Sequence, residues 1–179
     1  MTTFLLYGMA AGLAMALACG DSGRDAATAQ PPESSPTRSS RAPVDPCALL
    51  TQAEAEAILG KPIAAPEKGS SSQCRYAPES GRGEIMLHVY PLEFKSKEEF
   101  HAFVVKDTEA MNARIKKGFE GTGATPKETT VDPVPEVGSP AYYVDPTLLV
   151  FKGGRVLGIL ADDRPQAVVV AAKVLPRFE

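Results

Sequence analysis

Residues 147–161, TLLVFKGGRVLGILA, contain two apolar runs separated by a Lys-Gly-Gly loop. A short glycine-containing loop between two such runs is typical of a tight β-hairpin. Because residues 148–151 are all apolar, both alternating faces of the first run need cover from other elements. The stretch therefore predicts an antiparallel sheet with helices on both of its faces.

The preceding sequence predicts more strands for this sheet. Residues 84–90 (EIMLHVY) alternate, with Ile85, Leu87 and Val89 on one face, which is the period of a β-strand. Turn residues at 78–83 separate this run from a strand expected to pair with it. The other strands are predicted at residues 72–77, 128–132 and 141–144.

Three helices are predicted from their end signals. The first begins at the Thr51 and Glu54 capping box and ends at Gly60, and the second runs from Ser96 to Gly118. The third begins after Asp163 and is expected to bury Val168, Ala171, Ala172, Leu175 and Phe178. These elements together predict an α+β fold, an antiparallel sheet flanked by helices in an α/β/α-type sandwich.

Two N-terminal segments differ in composition from this domain. Residues 4–18 are apolar or small and uncharged. As a helix these fifteen residues would be about 22 Å long, which is too short to cross the roughly 30 Å bilayer core. Residues 21–46 are rich in Pro, Ser and Ala and contain no aromatic residue, which is typical of a disordered tether. We therefore divide the chain into a signal peptide at residues 1–18, a tether at 19–43 and one α+β domain at 44–179.

The end of the apolar segment, Ala16-Leu17-Ala18-Cys19-Gly20, resembles a bacterial lipoprotein signal. The resemblance implies cleavage before Cys19 and a diacylglycerol on its sulfur, hence a lipid anchor in the membrane of the cell envelope. Gly20 after the cysteine resembles lipoproteins of the outer membrane in hosts with two membranes. An ordinary secretory signal, or a buried helix with a free Cys19, remains the alternative.

Cys47 and Cys74 lie within the predicted domain. An exported domain occupies an oxidising compartment, so we expect the two thiols to form a disulfide. Metal ligation by both is the alternative, although neither His88 nor His101 has a recognisable ligand spacing to them.

The run Asp45-Pro46-Cys47-Ala48-Leu49-Leu50-Thr51, followed by Cys74-Arg75-Tyr76, resembles the opening of uncharacterised bacterial lipoprotein domains that contain paired cysteines. A later Gly138-Ser139-Pro140-Ala141-Tyr142 segment is similar to a Gly-Asp-x-Ala-Tyr segment of those domains. The resemblance implies a fold similar to that of the photosystem-accessory PsbP proteins and implies no activity.

Composition and motifs exclude several function classes. A net charge of −3 argues against nucleic-acid binding, and three Cys with two His are too few for a cysteine-rich zinc site. The sequence contains no local signature of a nucleophile, a metalloprotease or a dinucleotide site. We predict no enzymatic activity and no cofactor.

The remaining candidate residues for a binding surface are amphipathic. Met86, His88 and Tyr90 share one face of a predicted strand, and Tyr142 and Tyr143 lie next to a Pro- and Gly-containing loop. Ordinary packing is the alternative role for each of them. We predict an envelope lipoprotein that binds a protein partner or a small envelope component. The alternatives are a small-molecule or lipid carrier, with a pocket between the sheet and the second helix, and an envelope hydrolase.

Overall fold

The 147–161 hairpin lies at the centre of an eight-stranded antiparallel sheet. The computed structural model describes residues 37–38 and 41–178, so the predicted signal peptide, Cys19 and most of the predicted tether lie outside the described residues. The strand order is β2-β3-β4-β8-β7-β6-β5, and β1 pairs with one end of β4. The strands are β1 (Thr37–Arg38), β2 (Glu67–Ser70), β3 (Gln73–Tyr76), β4 (Ile85–Glu93), β5 (Asp132–Pro133), β6 (Ala141–Val144), β7 (Thr147–Lys152) and β8 (Arg155–Leu160).

Two glycines make the central hairpin turn. Gly153 and Gly154 have φ angles of 60° and 85°, in the left-handed region that a two-residue hairpin turn requires. The register pairs Lys152 with Arg155 across this turn and continues to Thr147 opposite Leu160. The predicted hairpin is confirmed.

Residues 41–178 contain three α-helices, α1 (Gln52–Leu59), α2 (Lys97–Phe119) and α3 (Arg164–Val174). Thr51 and Glu54 form the complete capping box predicted for α1, and Ser96 caps the Glu99 amide at the start of α2. Gly118 lies inside α2 rather than ending it, and the helix continues to Phe119. Each helix starts where a side chain satisfies an otherwise unpaired backbone amide.

The helices lie on opposite faces of the sheet. Side chains of α1 and α3 pack with the face formed by Leu87, Leu157 and Val150. On the other face α2 packs through Phe100, whose ring stacks 5.4 Å from that of Phe151. The fold is therefore α+β, an antiparallel sheet flanked by helices, as the sequence predicts.

Two further details differ from the predictions. In α3 the buried side chains are Ala167, Val170, Ala171 and Val174, whereas Ala172 is exposed. The run of apolar residues in this helix fits more than one rotation about its axis, and packing against β7, β8 and α1 selects one of them. The second difference is that residues 37–38, within the segment predicted as tether, form strand β1. There Thr37 pairs with Glu93 of β4. Ordered contacts thus begin before the predicted boundary at Val44, because main-chain pairing at a strand edge needs no apolar side chain.

Candidate functional site

A disulfide joins the start of the domain to the sheet. Cys47 lies in a 3₁₀ helix, Pro46–Ala48, whose first turn is capped by the Asp45 carboxylate. Its sulfur is bonded to that of Cys74 on β3, with 5.1 Å between the Cα atoms. The predicted disulfide is confirmed, so both thiols are used in a covalent bond.

Tyr76 reinforces the same junction from within the core. Its side chain is fully buried, and its hydroxyl donates a hydrogen bond of 2.7 Å to the carbonyl oxygen of Leu50. Burial raises the pKa of Tyr76 to about 12, because the charged phenolate is poorly solvated inside the protein. The hydroxyl therefore stays a hydrogen-bond donor at neutral pH.

An ion pair joins α1 to the C-terminal end of the chain. Arg177 donates to both carboxylate oxygens of Glu54 at 2.8 Å, and to the carbonyl oxygen of Leu49 at 2.9 Å. The guanidinium, followed by the capped amide of Thr51, lowers the pKa of Glu54 to about 2. The pair fixes α1 against the segment that follows α3.

Met86, His88 and Tyr90 lie on the sheet face that α2 partly covers. The rings of His88 and Tyr90 are 4.2 Å apart, and burial lowers the pKa of His88. The neighbouring strand carries Gly158 opposite His88, where an added Cβ would lie 2.9 Å from the Tyr90 ring. The missing side chain at position 158 thus leaves room for the Tyr90 ring over β8.

The two adjacent tyrosines point to opposite faces of β6. The ring of Tyr142 lies 5.6 Å from that of Phe100 and 4.9 Å from that of His101, on the α2 side. Tyr143 packs against the core on the α1 and α3 side. Alternation along a strand separates neighbouring side chains in this way, so the five predicted surface residues do not form one patch.

The space between the sheet and α2 is small. Tyr90, Phe103 and Val156 line a cavity of about 50 Å³ there, whereas small-molecule sites usually have roughly 300–1,000 Å³. A carrier with its pocket in this place stays a prediction, and the aromatic packing of α2 does not favour it.

A larger apolar surface lies on the outer side of the other helical layer. The α1–α3 groove is a surface cavity of about 620 Å³, open to solvent, between the exposed sides of the two helices. Val169 is 48 % exposed beside it, although valine is usually buried. The groove is lined by Ala53, Ala57 and Ile58 from α1 and by Pro165, Val169 and Lys173 from α3.

None of the residues predicted as a binding surface lines this groove. The sequence signal for it is the pair of small residues Ala53 and Ala57, which are four positions apart on α1 and so lie on one helix face. The groove becomes recognisable only when α3 is placed beside that face, with Val169 turned outward.

The surroundings of the two histidines, possible metal ligands and possible membrane-spanning helices were also part of the sequence predictions. Within the described ranges, neither His88 nor His101 hydrogen-bonds to a Ser or Thr hydroxyl, and their nearest ring partners are Tyr90 and Tyr142. The same residues contain no group of three or more His, Cys, Asp or Glu side chains arranged to hold a metal ion. No helix among them combines the length and the apolar character needed to cross a membrane.

Comparison with known protein families, curated proteins and solved structures gives no match to this chain.

Proposed function

We propose that this chain is a lipid-anchored protein of the bacterial cell envelope whose α+β domain binds a protein partner through the α1–α3 groove, without catalysis. The observation that supports binding is the groove itself, a largely apolar, solvent-open cavity of about 620 Å³ between α1 and α3. Exposed apolar grooves with a polar rim are typical of protein interaction sites.

Export is supported by two features of the chain. Cys19 follows an apolar segment that resembles a lipoprotein signal, and the domain contains the Cys47–Cys74 disulfide. Disulfides persist in oxidising compartments such as the periplasm and are rare in the cytosol. The segment between Cys19 and β1 would connect the domain to the anchoring membrane.

The shape of the groove favours a protein over a small molecule. Small-molecule sites enclose most of the ligand surface, whereas this groove is open along the exposed sides of two helices. Its lining combines the apolar side chains of Ala57, Ile58 and Val169 with the charged side chains of Glu54 and Lys173. Such a groove suits an amphipathic helix, whose apolar stripe would contact the apolar lining while its polar residues meet the charged side chains.

Site-specific photo-cross-linking in living cells tests this proposal. A photoreactive amino acid replaces Val169, and in a second strain it replaces Phe119, which is also a large exposed apolar residue at 42 % exposure. Phe119 ends α2 and lies outside the groove, so it controls for nonspecific capture by an exposed apolar side chain. We expect one discrete protein adduct at position 169 and no matching adduct at position 119.

A further variant links the adduct to the groove. Ala57→Glu places a carboxylate in the apolar lining of the groove, and burying it under a partner would be costly. Because Ala57 is exposed in the free domain, the variant should fold normally and abolish the adduct at position 169. Identical adducts at both positions, an adduct unchanged by Ala57→Glu, or no adduct at position 169 would each overturn the proposal.

A further inference from the structure

The second half of α2 extends beyond the part of the helix that packs in the core. The buried side chains of this helix are those of Phe100, Val104 and Thr108. Residues 109–119 contain no buried side chain, and none of them belongs to either hydrophobic cluster of the domain. They form about 16 Å of helix, or about three turns. Core packing therefore does not account for the length of α2.

This projecting part of α2 is held in a defined position. The side chain of Asn112 donates a hydrogen bond of 2.8 Å to the carbonyl oxygen of Thr129 and accepts one of 2.9 Å from the amide of the same residue. The helix closes in a turn, where the amide and the hydroxyl of Thr122 both donate to the carbonyl oxygen of Phe119. The side chains at the end of α2 are therefore presented from an ordered backbone.

Three cationic side chains lie at this end of the helix. Arg114, Lys116 and Lys117 are exposed, and none of them takes part in an ion pair with another residue of the described ranges. Residues 110–119 contain no acidic residue, and one glutamate flanks this stretch on each side. The stretch is thus locally positive in a chain whose net charge is −3.

An exposed aromatic ring lies among these charges. Phe119 is the one aromatic side chain in the described part of the chain that is exposed rather than buried or half-buried, although phenylalanine is usually buried. Cations near the C-terminal end of a helix also suit the helix dipole, but the dipole gives no reason for an exposed ring. Cations together with an exposed aromatic ring are typical of helices that bind to the surface of anionic membranes.

We propose that the basic end of α2, defined as Arg114, Lys116, Lys117 and Phe119, contacts the surface of an anionic phospholipid membrane. The cations would lie against the phosphate groups of the lipids, and the ring would reach the boundary between headgroups and acyl chains. An acidic protein would attract the same cations. We favour lipid because Phe119 lies at a projecting helix end, and a bilayer accepts a projecting ring without a matching pocket.

This surface is separate from the α1–α3 groove, with which it shares no residue. It rests on the proposed function only in requiring that the domain meets a membrane. Contact with lipid at Phe119 also agrees with the absence of a protein adduct that we expect at that position. The basic end of α2 would add a second membrane contact to the proposed anchor and so set the orientation of the domain.

Tryptophan fluorescence on vesicles tests the proposal, because the chain contains no tryptophan of its own. Phe119→Trp places one indole at the basic end of α2, and Val169→Trp places one in the α1–α3 groove as the control. The full chain is mixed with vesicles of phosphatidylcholine, or of equal parts of phosphatidylcholine and phosphatidylglycerol. Their acyl chains are brominated and quench an indole that contacts them. We expect a blue-shifted, quenched indole at position 119 with the anionic vesicles alone, and neither change at position 169.

Two double variants in the Phe119→Trp background test the role of charge. Lys116→Gln/Lys117→Gln acts at the basic end of α2, and Lys95→Gln/Lys97→Gln removes two exposed lysines at the other end of the helix. Each cation near an anionic surface contributes about a factor of five. The first pair should therefore lower the ratio of quenched to unquenched protein about 25-fold, and the second should leave it unchanged. Salt at about 1 M, where the screening length is about 3 Å, should abolish the quenching.

Sedimentation of the same vesicles separates this proposal from the anchor. Protein that stays in solution with phosphatidylcholine vesicles counts against the anchor, whereas the indole response tests the basic end of α2 in either case. No response at position 119 to anionic vesicles would overturn the proposal and favour an acidic protein. Equal responses to both lipid compositions, equal responses at positions 119 and 169, or equal losses in the two lysine pairs would also overturn it. An unchanged urea midpoint shows that each variant is folded.

Discussion

Loss of the Cys47–Cys74 disulfide should destabilise the domain by an amount that its loop length sets. The two cysteines are 27 positions apart. For a loop of that length, the lost constraint on the unfolded chain corresponds to about 3.6 kcal/mol at 25 °C. With a urea dependence of about 2 kcal/mol per molar for a small domain, the unfolding midpoint should fall by about 2 M.

Urea unfolding followed by circular dichroism measures this shift in three samples. These are the oxidised protein, the same protein under a reducing agent, and the double variant Cys47→Ala/Cys74→Ala. All carry Cys19→Ser, so that no third thiol can exchange with the disulfide. The reduced protein loses only the covalent constraint, whereas the double variant also loses the sulfur atom of Cys74, which is fully buried.

We therefore expect the midpoint to decrease in the order oxidised, reduced, double variant. Most of the loss should appear on reduction, because the constraint outweighs the packing of one buried sulfur atom. Equal midpoints for oxidised and reduced protein would refute the argument that the bond stabilises the fold through loop closure. A large loss in the double variant alone would assign the effect to packing instead.

Three further substitutions test individual contacts. Tyr76→Phe removes the donor to the carbonyl oxygen of Leu50 and should cost about 1–3 kcal/mol of unfolding free energy by urea titration, because a buried acceptor is left unsatisfied; a loss of zero would contradict the contact. Arg177→Gln should raise the folded-state pKa of Glu54, which now lies at about 2 against 4.5 for an ordinary glutamate. The ion pair contributes stability above pH 4.5 that is lost as the pH falls towards 2. The decline of the urea-unfolding midpoint on the acid side should therefore become shallower in the variant. An unchanged pH profile of that midpoint would count against the pair. Gly154→Ala should lower the free energy of unfolding by about 1–2 kcal/mol, because a side chain is strained at a positive φ. Here φ is 85°, and the new Cβ would lie 3.4 Å from the carbonyl oxygen of Phe94. A thermal midpoint equal to that of the unsubstituted protein would show that the turn tolerates the side chain.

The sequence correctly predicted those turns and helix caps that are formed by residues close together in the chain. The glycine pair of the β7–β8 turn, the Thr51–Glu54 capping box and the Ser96 cap all act within a few positions, and each is present as predicted. The 84–90 strand was predictable because its inner face is consistently apolar. These features need no knowledge of what packs against them.

Long-range features were not predictable in the same way. β2 consists of Glu67, Lys68, Gly69 and Ser70, all exposed, so no apolar alternation marks it as a strand, and main-chain pairing with β3 alone defines it. The α1–α3 groove requires the relative placement of two helices that are distant in the sequence. The separation of Tyr142 from Tyr143, by contrast, follows from strand alternation and could have been predicted from the sequence.

The intact mass of the protein isolated from the envelope of its native host tests the proposed anchor and the disulfide in one sample. We predict a chain that begins at Cys19, carries acyl groups on that residue, and is lighter by the two hydrogens lost when Cys47 and Cys74 pair. Cys19→Ser should then release the protein from the membrane fraction. An unmodified chain that begins at Met1 and has free thiols at Cys47 and Cys74 would contradict the proposal of an exported, lipid-anchored domain.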